Sequence, residues 1–379
     1  MKMWQENARI LDRLQSIHDS GDDAAIAVLV RIEGSSYRRP GAKLLVSSDG
    51  SSIGSISGGC LEEDVRQIAL DVMSGCTPRE LRYKTGSDDE TVWGLGLGCD
   101  GIVDLFVYPA TASAVIRTVA AQRELFREND AFSVATVMEA SSGTAEPGGS
   151  IVIAAGEIAA GGSGDPGLDE RIRDLAASRS DANGASGDCG PGGTGLYSLG
   201  AARVFLELHQ PPPNLLVFGA GDDAIPLVRL AATVGFRVWV VDHRAGYLTA
   251  DRFPDAWHFV HARDSGSTAD LPCGQRSFAV VKTHSLLRDG DWVRALASIP
   301  LPYVGLLGPR DRRQEILAEL SEEDSRYVYG PVGLDLGAEG PEQVALSVVA
   351  EILAVVSGRS AGHLRDSAGS IHAEPCIEW

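Results

Sequence analysis

The spacing of apolar residues changes along this chain, and the elements it predicts change with it. At the start, MKMWQENARILDRL sets apolar residues on one helical face among charges, which predicts an amphipathic helix. Ala24 to Glu33 (AAIAVLVRIE) and Lys43 to Ser48 (KLLVSS) read as strands, Asp49-Gly50 as a hairpin turn, and Ser51 to Ser57 as the returning strand. In the following LEEDVRQIALDVM, Leu61, Val65, Ile68, Ala69 and Val72 recur at helical spacing. Gly58-Gly59-Cys60 therefore falls at a strand-to-helix junction. Further strands are predicted over Gly101 to Tyr108, Phe132 to Glu139, Ile151 to Ala155, Ile158 to Ala160 and Arg203 to His209, with a helix over 111–128. No internal repeat is evident.

Pro211-Pro212-Pro213 interrupts this pattern, because three prolines fit neither a helix nor a sheet interior and make a stiff spacer. Beyond it, apolar runs at Leu215 to Phe218, Val238 to Val241, Phe278 to Val281 and Tyr303 to Leu307 alternate with helical stretches, as in a parallel sheet with crossover helices. The expected fold class is α/β: an N-terminal α+β domain with mixed sheet over 1–210, and a C-terminal Rossmann-like parallel-sheet domain over 211–379. A tract rich in Gly, Ser, Asn and Asp at about 178–195 is expected to be a loop in the first domain. Near the end, Pro341 opens a helix that is apolar almost all round, which fits packing between domains or between the protomers of a homodimer.

Charge and composition narrow the partners. The 379 residues carry a net charge of −19, which argues against nucleic acid, since phosphate binding needs a basic face. The charged N-terminus lacks the apolar core of a signal peptide. VALSVVAEILAVV, interrupted by Glu351, is shorter than the roughly 20 residues that cross a bilayer. No membrane association and a cytoplasmic location are expected. Six cysteines (Cys60, Cys76, Cys99, Cys189, Cys273 and Cys376) lie far apart with no C-x-x-C pair, so neither a zinc knuckle nor a disulfide framework is indicated.

Two regions carry candidate chemistry. NLLVFGAGDDA from Asn214 places G-x-G-x-x-A between a strand and a helix. Gly219 and Gly221 form the turn, and Asp242 ends the next strand where an acid would meet a ribose hydroxyl. Nucleotide or pterin-phosphate binding and a purely structural glycine turn are both open here, and Asp222 and Asp223 set negative charge where a pyrophosphate would lie. His284 and Arg310 end the later strands at the same edge of the sheet, and Arg244 could meet a 2′-phosphate. In the first domain, Gly58 and Gly59 would turn backbone N–H groups towards an anion beside Cys60, a soft ligand suited to sulfur chemistry or molybdenum. Cys99 sits in a second glycine-rich stretch, GLGLGCDG, and Arg38, Arg39 and Lys43 could supply positive charge. Cys60 and Cys99 can equally be small buried residues in tight turns.

Together these blocks resemble the xanthine dehydrogenase accessory (XdhC/CoxI) family. GSSYRRPGAKLL, DGSSIGSISGGCLEE and LGLGCDG look like its N-terminal domain. PPPNLLVFGAGDDAIPLVRLAATVGFRVWVVDHR, RFPDA from Arg252, VVKTHSLLRD, YVGLLGPRDRR and PVGLDLGAEGPEQVALSVVAEILAV look like its Rossmann-like domain. The resemblance implies a protein that binds molybdenum cofactor (molybdopterin) and delivers it to an apo xanthine dehydrogenase-type molybdenum hydroxylase. It also implies work alongside a cysteine desulfurase; the thiol beside the glycine turn makes Cys60 the candidate molybdenum contact. The family commonly has His where this chain has Asp222, and Asp or Asn where it has Ser285. The competing expectation is an NAD(P)-dependent oxidoreductase built on the glycine motif, Asp242 and Arg244.

Overall fold

The structure, a computed structural model, describes residues 2–34, 37–84, 101–140, 145–180, 193–318 and 320–366. Its internal contacts divide the chain into two compact units, with the change from one to the other between Pro211 and Pro212.

In the first unit, helix α1 (Lys2–Ser20) precedes strands β1 (Ala24–Gly34), β2 (Lys43–Ser47) and β3 (Ser52–Gly54), helix α2 (Glu62–Gly75), and strands β4 (Arg79–Lys84) and β5 (Gly101–Pro109). The succession then repeats: α3 (Ser113–Glu128), β6 (Phe132–Ala140), β7 (Ser150–Ala154), β8 (Glu157–Gly161), α4 (Pro166–Ser180), β9 (Gly195–Leu199) and β10 (Ala202–His209). One five-stranded sheet runs β3-β2-β1-β5-β4 and the other β8-β7-β6-β10-β9, which is the same topology twice. The expectation of no internal repeat is thus corrected: the unit is an internal duplication.

Local irregularities recur with the topology. The β1–β5 register slips between Leu29 and Arg31, and the β6–β10 register slips opposite Val137 and Glu139, so Val30 and Met138 are equivalent bulged residues. Both are buried. Leu29 exchanges backbone hydrogen bonds with Gly41 and Ala42 just before β2, as Val137 does with Gly148 and Gly149 just before β7. Gly54 and Gly161 close β3 and β8 with φ of +97° and +85°. A Cβ would lie 2.2 Å from the Lys43 carbonyl oxygen at Gly54 and 2.1 Å from that of Ser150 at Gly161, so only glycine fits either place.

Both faces of each sheet are covered, which is why β1 reads as a nearly continuous apolar run rather than an alternating one. Ala25, Ala27 and Leu29 face α2 through Val65, Ala69 and Val72, while Ile26 and Val28 join a core shared with α1, α3 and residues Val134 and Phe205 of the second half. Helix α4 covers the outer face of the second sheet through Leu168, Ile172 and Ala176.

In the first unit the elements differ from the sequence pattern in three places. The returning strand β3 ends at Gly54 rather than Ser57, because the backbone turns there and leaves residues 55–61 as a connection. Strand β4, RELRYK, was not expected, since it has few apolar residues and lies partly exposed. Helix α4 and strand β9 border the tract read as a loop, of which 181–192 lie outside the described residues.

The second unit holds β11 (Asn214–Phe218), α5 (Ile225–Val234), β12 (Arg237–Asp242), β13 (His258–His261), β14 (Ser277–Val281), α6 (Leu286–Ala297), β15 (Val304–Leu306), α7 (Arg310–Leu317), α8 (Glu322–Ser325), β16 (Val328–Tyr329) and α9 (Gly340–Val356). Its six strands are parallel in the order β13-β12-β11-β14-β15-β16, the order of a Rossmann sheet. Helices α5 and α9 pack one face of the sheet and α6 the other. Pro341 begins α9, whose Ala345, Val348, Val349 and Ile352 enter this unit's own core. Glu351, which interrupts the apolar run, accepts hydrogen bonds from Tyr303 Oη at 2.5 Å and the Gly333 N–H at 2.9 Å. Among the described residues no helix is long and apolar enough to cross a membrane.

Candidate functional site

The connection between β3 and α2 winds around a single carboxylate. Glu62 accepts the backbone N–H groups of Ile56, Ser57, Gly58, Gly59 and Leu61 at 2.9–3.2 Å, and the hydroxyls of Ser55 (2.8 Å) and Ser57. Gly58 and Gly59 reach this arrangement with φ of +86° and +119°, which point successive N–H groups inwards. The sequence led us to expect that these groups would face an external anion; they face one supplied by the chain. Half-burial pushes the Glu62 carboxyl up, but the hydrogen bonds from Ser57 and Ser55 outweigh it and hold the group at about 2.

Cys60 stands on the rim of this turn. Its N–H donates to Ser57 Oγ at 3.1 Å, and the residue is exposed one position before the N-cap of α2. The ring of Tyr37, itself 75% exposed, lies so close to Gly58 that a Cβ there would come within 2.8 Å of it. The cations expected beside the thiol do not gather there as a set. Arg38 pairs with Glu6 of α1 at 2.7 Å, and Lys43, partly buried, pairs with buried Glu207 of β10. Arg39 is exposed. Cys99 lies outside the described residues.

In the second unit, Gly219 (φ +117°) lets β11 turn against the end of β14, where a Cβ would sit 2.5 Å from the Lys282 carbonyl oxygen. Gly221 continues the turn in extended backbone. Asp242 ends β12 as expected, but both its oxygens are committed within the chain. They accept the Ala220 N–H at 2.7 Å, the Arg244 N–H at 2.8 Å and the Arg244 guanidinium at 2.8–2.9 Å. Burial raises its carboxyl, and the bonds from Arg244 and Ala220 more than reverse this, to about 2. Arg244 therefore serves Asp242, and its guanidinium lies 3.9 Å from the centre of the Tyr247 ring.

The two acids that follow the glycines are neutralised in place. Asp222 pairs with Arg252 at 2.8 Å, and Arg252 also donates to the Ala220 carbonyl. Asp223 pairs with buried Lys282 at 2.8 Å and with His284 Nε2 at 2.9 Å. Burial pushes the Asp223 carboxyl up, yet Lys282 and His284 bring it below its ordinary value. A carboxylate thus occupies the end of the glycine turn, where a dinucleotide's pyrophosphate would seek the helix N-terminus. His284 has a φ of +61° and is 60% exposed at its side chain. Thr283, just before it, is pinned by fully buried Asp289, which also binds Arg312. Arg310 is exposed at the start of α7.

Glu62, Arg252, Lys282 and Asp289 are not among the residues that the sequence pattern points to. An acid in the first helical turn after a serine is a recognised capping signal and could have flagged Glu62. The other three depend on pairings far apart in sequence.

Among known proteins, the sequence profile of the XdhC and CoxI family matches residues 17–84, and that of the XdhC Rossmann domain matches residues 215–352. The chain is 31% identical to a Bacillus subtilis protein named as a probable subunit of xanthine dehydrogenase, over 90% of this chain and 95% of that protein. It is 24% identical to the molybdenum cofactor insertion chaperone PaoD of Escherichia coli, over 89% of this chain and 84% of the chaperone. A crystal structure of a protein named xanthine dehydrogenase from Bacillus halodurans superposes with a TM-score of 0.69 at 25% identity, covering 95% of this chain and 98% of that one.

Proposed function

Because the chain belongs to the XdhC and CoxI family, we propose that it binds molybdenum cofactor and delivers it to an apo xanthine dehydrogenase-type molybdenum hydroxylase. The name of the relative PaoD supports the cofactor, and that of the Bacillus subtilis relative supports the recipient. The observation that carries the reading is Cys60, an exposed thiol on a turn whose backbone is fixed by Glu62.

The donor set fits the sulfur-rich end of such a cofactor. Thiolate is a soft ligand matched to molybdenum, and a rigid turn presents it without the entropy cost of ordering a loop. Cys60 would hold the metal end, while the bound group would supply the oxidation chemistry to its recipient enzyme. The turn itself offers no seat for the cofactor's phosphate, since Glu62 already takes its N–H groups. Exposed Arg39 is the remaining cation of the expected set in that region. In this reading the chain acts in the cytoplasm as a carrier, beside a cysteine desulfurase that sulfurates the cofactor during or before delivery, and as a homodimer. An NAD(P)-dependent activity gains no support from the glycine turn, where Asp242 and Asp223 are both engaged.

Purified protein incubated with molybdenum cofactor, then desalted and denatured, is expected to release a fluorescent pterin. Cys60→Ser should release far less at equal folded concentration. No release from the wild type overturns the reading, and equal release from the variant removes Cys60 from it.

A further inference from the structure

In the N-terminal unit, helix α1 and strands of both halves enclose a small cavity of about 20 Å³. Much of its lining is apolar and belongs to the core shared by the halves. Six polar side chains nevertheless converge on it: Asn7 of α1, Lys43 of β2, Tyr108 of β5, Ser150 of β7, and Glu207 and His209 of β10. Apart from Lys43, each is at most 8% exposed. Groups so placed are costly unless hydrogen-bonded. Lys43 and Glu207 satisfy one another. Asn7 does not find a mate in this way: it is 4% exposed, and its Nδ2 has no hydrogen-bond partner among the described residues. His209 Nε2 stands 3.8 Å from Glu207 Oε1, too far for a hydrogen bond, and its ring is held by stacking on Phe132 with centroids 4.6 Å apart.

We propose that this cavity is a hydration site, in which one internal water accepts from Asn7 Nδ2 and hydrogen-bonds to polar groups contributed by both halves. Size sets the occupant: a single water needs roughly 10 to 15 Å³ of such space, so about 20 Å³ admits water and no organic molecule. Charge sets its neutrality. Lys43 and Glu207 cancel. Burial, with Lys43 beside it, holds the His209 ring well below its ordinary value and so uncharged, while burial and Glu207 push the Tyr108 phenol up and keep it protonated. A halide would meet the Glu207 carboxylate, and an ammonium ion would meet Lys43.

The polar groups also match what a water offers. Asn7 supplies a donor, Glu207 and the neutral His209 ring supply acceptors, and the Tyr108 and Ser150 hydroxyls serve as either. A buried water typically makes about three hydrogen bonds, which this lining can provide. The water thereby removes the cost of burying Asn7 and carries hydrogen bonding from α1 to the strands beneath it. The inference is independent of Cys60 and of the carrier reading.

A high-resolution crystal structure of the full chain, grown with bromide in place of chloride, tests it. A peak without anomalous signal is expected within about 3.2 Å of Asn7 Nδ2 and of at least one polar group from the second half. Asn7→Leu, of similar size, should lose that peak, and its melting temperature should not rise, because the side chain it replaces was already satisfied. An anomalous peak would make the occupant an ion and overturn the inference, as would a cavity with no peak. A gain of several degrees in Asn7→Leu would also overturn it, by showing that Asn7 was buried without compensation. If Asn7→Leu does not fold, the wild-type crystal decides alone.

Discussion

The two halves of the N-terminal unit differ most at one corresponding turn. Before α2, Glu62 gathers the Ser55 to Leu61 backbone; before α4, Asp169 accepts the N–H and hydroxyl of Ser163 at 2.8 and 2.5 Å. An acid in the first helical turn reaching back to the preceding connection is therefore a device of the fold, present whether or not a ligand is involved. What the first half adds is a wider coil of backbone and, on its rim, Cys60. The comparison separates the scaffold, which is duplicated, from the thiol, which is not.

The duplication can be broken most severely at its shared glycines. Gly54→Ala and Gly161→Ala should each cost about 3 kcal/mol in urea unfolding, because each drives a methyl into a carbonyl oxygen on the neighbouring strand. Markedly unequal losses would show that the halves bear load differently. Glu62→Gln should cost about 2 kcal/mol after allowance for the group's partial exposure, and Asp169→Asn about 1 kcal/mol, in line with the number of donors each carboxylate satisfies. Acid should act on the same contrast. The folded value of Glu62 is about 2 against an ordinary 4.5, so its contribution is fully present above pH 4.5 and is lost as pH falls towards 2. Urea midpoints measured across that window should fall less steeply in Glu62→Gln than in the wild type. The smallest effect is expected from Cys60→Ser, within about 0.5 kcal/mol, since the thiol is exposed. A stable variant that fails to retain pterin would place the thiol outside the scaffold's needs and within the carrier's.

Much of the C-terminal unit was legible in the sequence because its strands are buried on both faces and its glycine turn follows one of them directly. The runs NLLVF and SFAVV carry that information locally. The duplication was hidden because equivalent positions share geometry and not residue type: Lys43 answers to Ser150, and Val30 to Met138. Lys43 also shows why site residues were harder to read than elements. Its strand position was evident, but its orientation into the core towards Glu207, in a strand far away in sequence, was not. Arg38 was likewise drawn to α1 by Glu6. At Asp222 and Asp223 the sequence displayed the negative charges and concealed the cations that neutralise them.

The largely enclosed Lys43–Glu207 pair ties together strands from different halves, and register places Tyr108 and Ser150 at the positions that answer to Glu207 and Lys43. All four line one small internal cavity of about 20 Å³. The repeats have thus become complementary: one contributes an ammonium and a phenol, the other a carboxylate and a hydroxyl. Expressed alone, either half would carry an unpaired charge on the apolar face that the other half covers, whereas two fragments split between Pro109 and Ser113 would each hold the counterion that the other lacks and should pair through it.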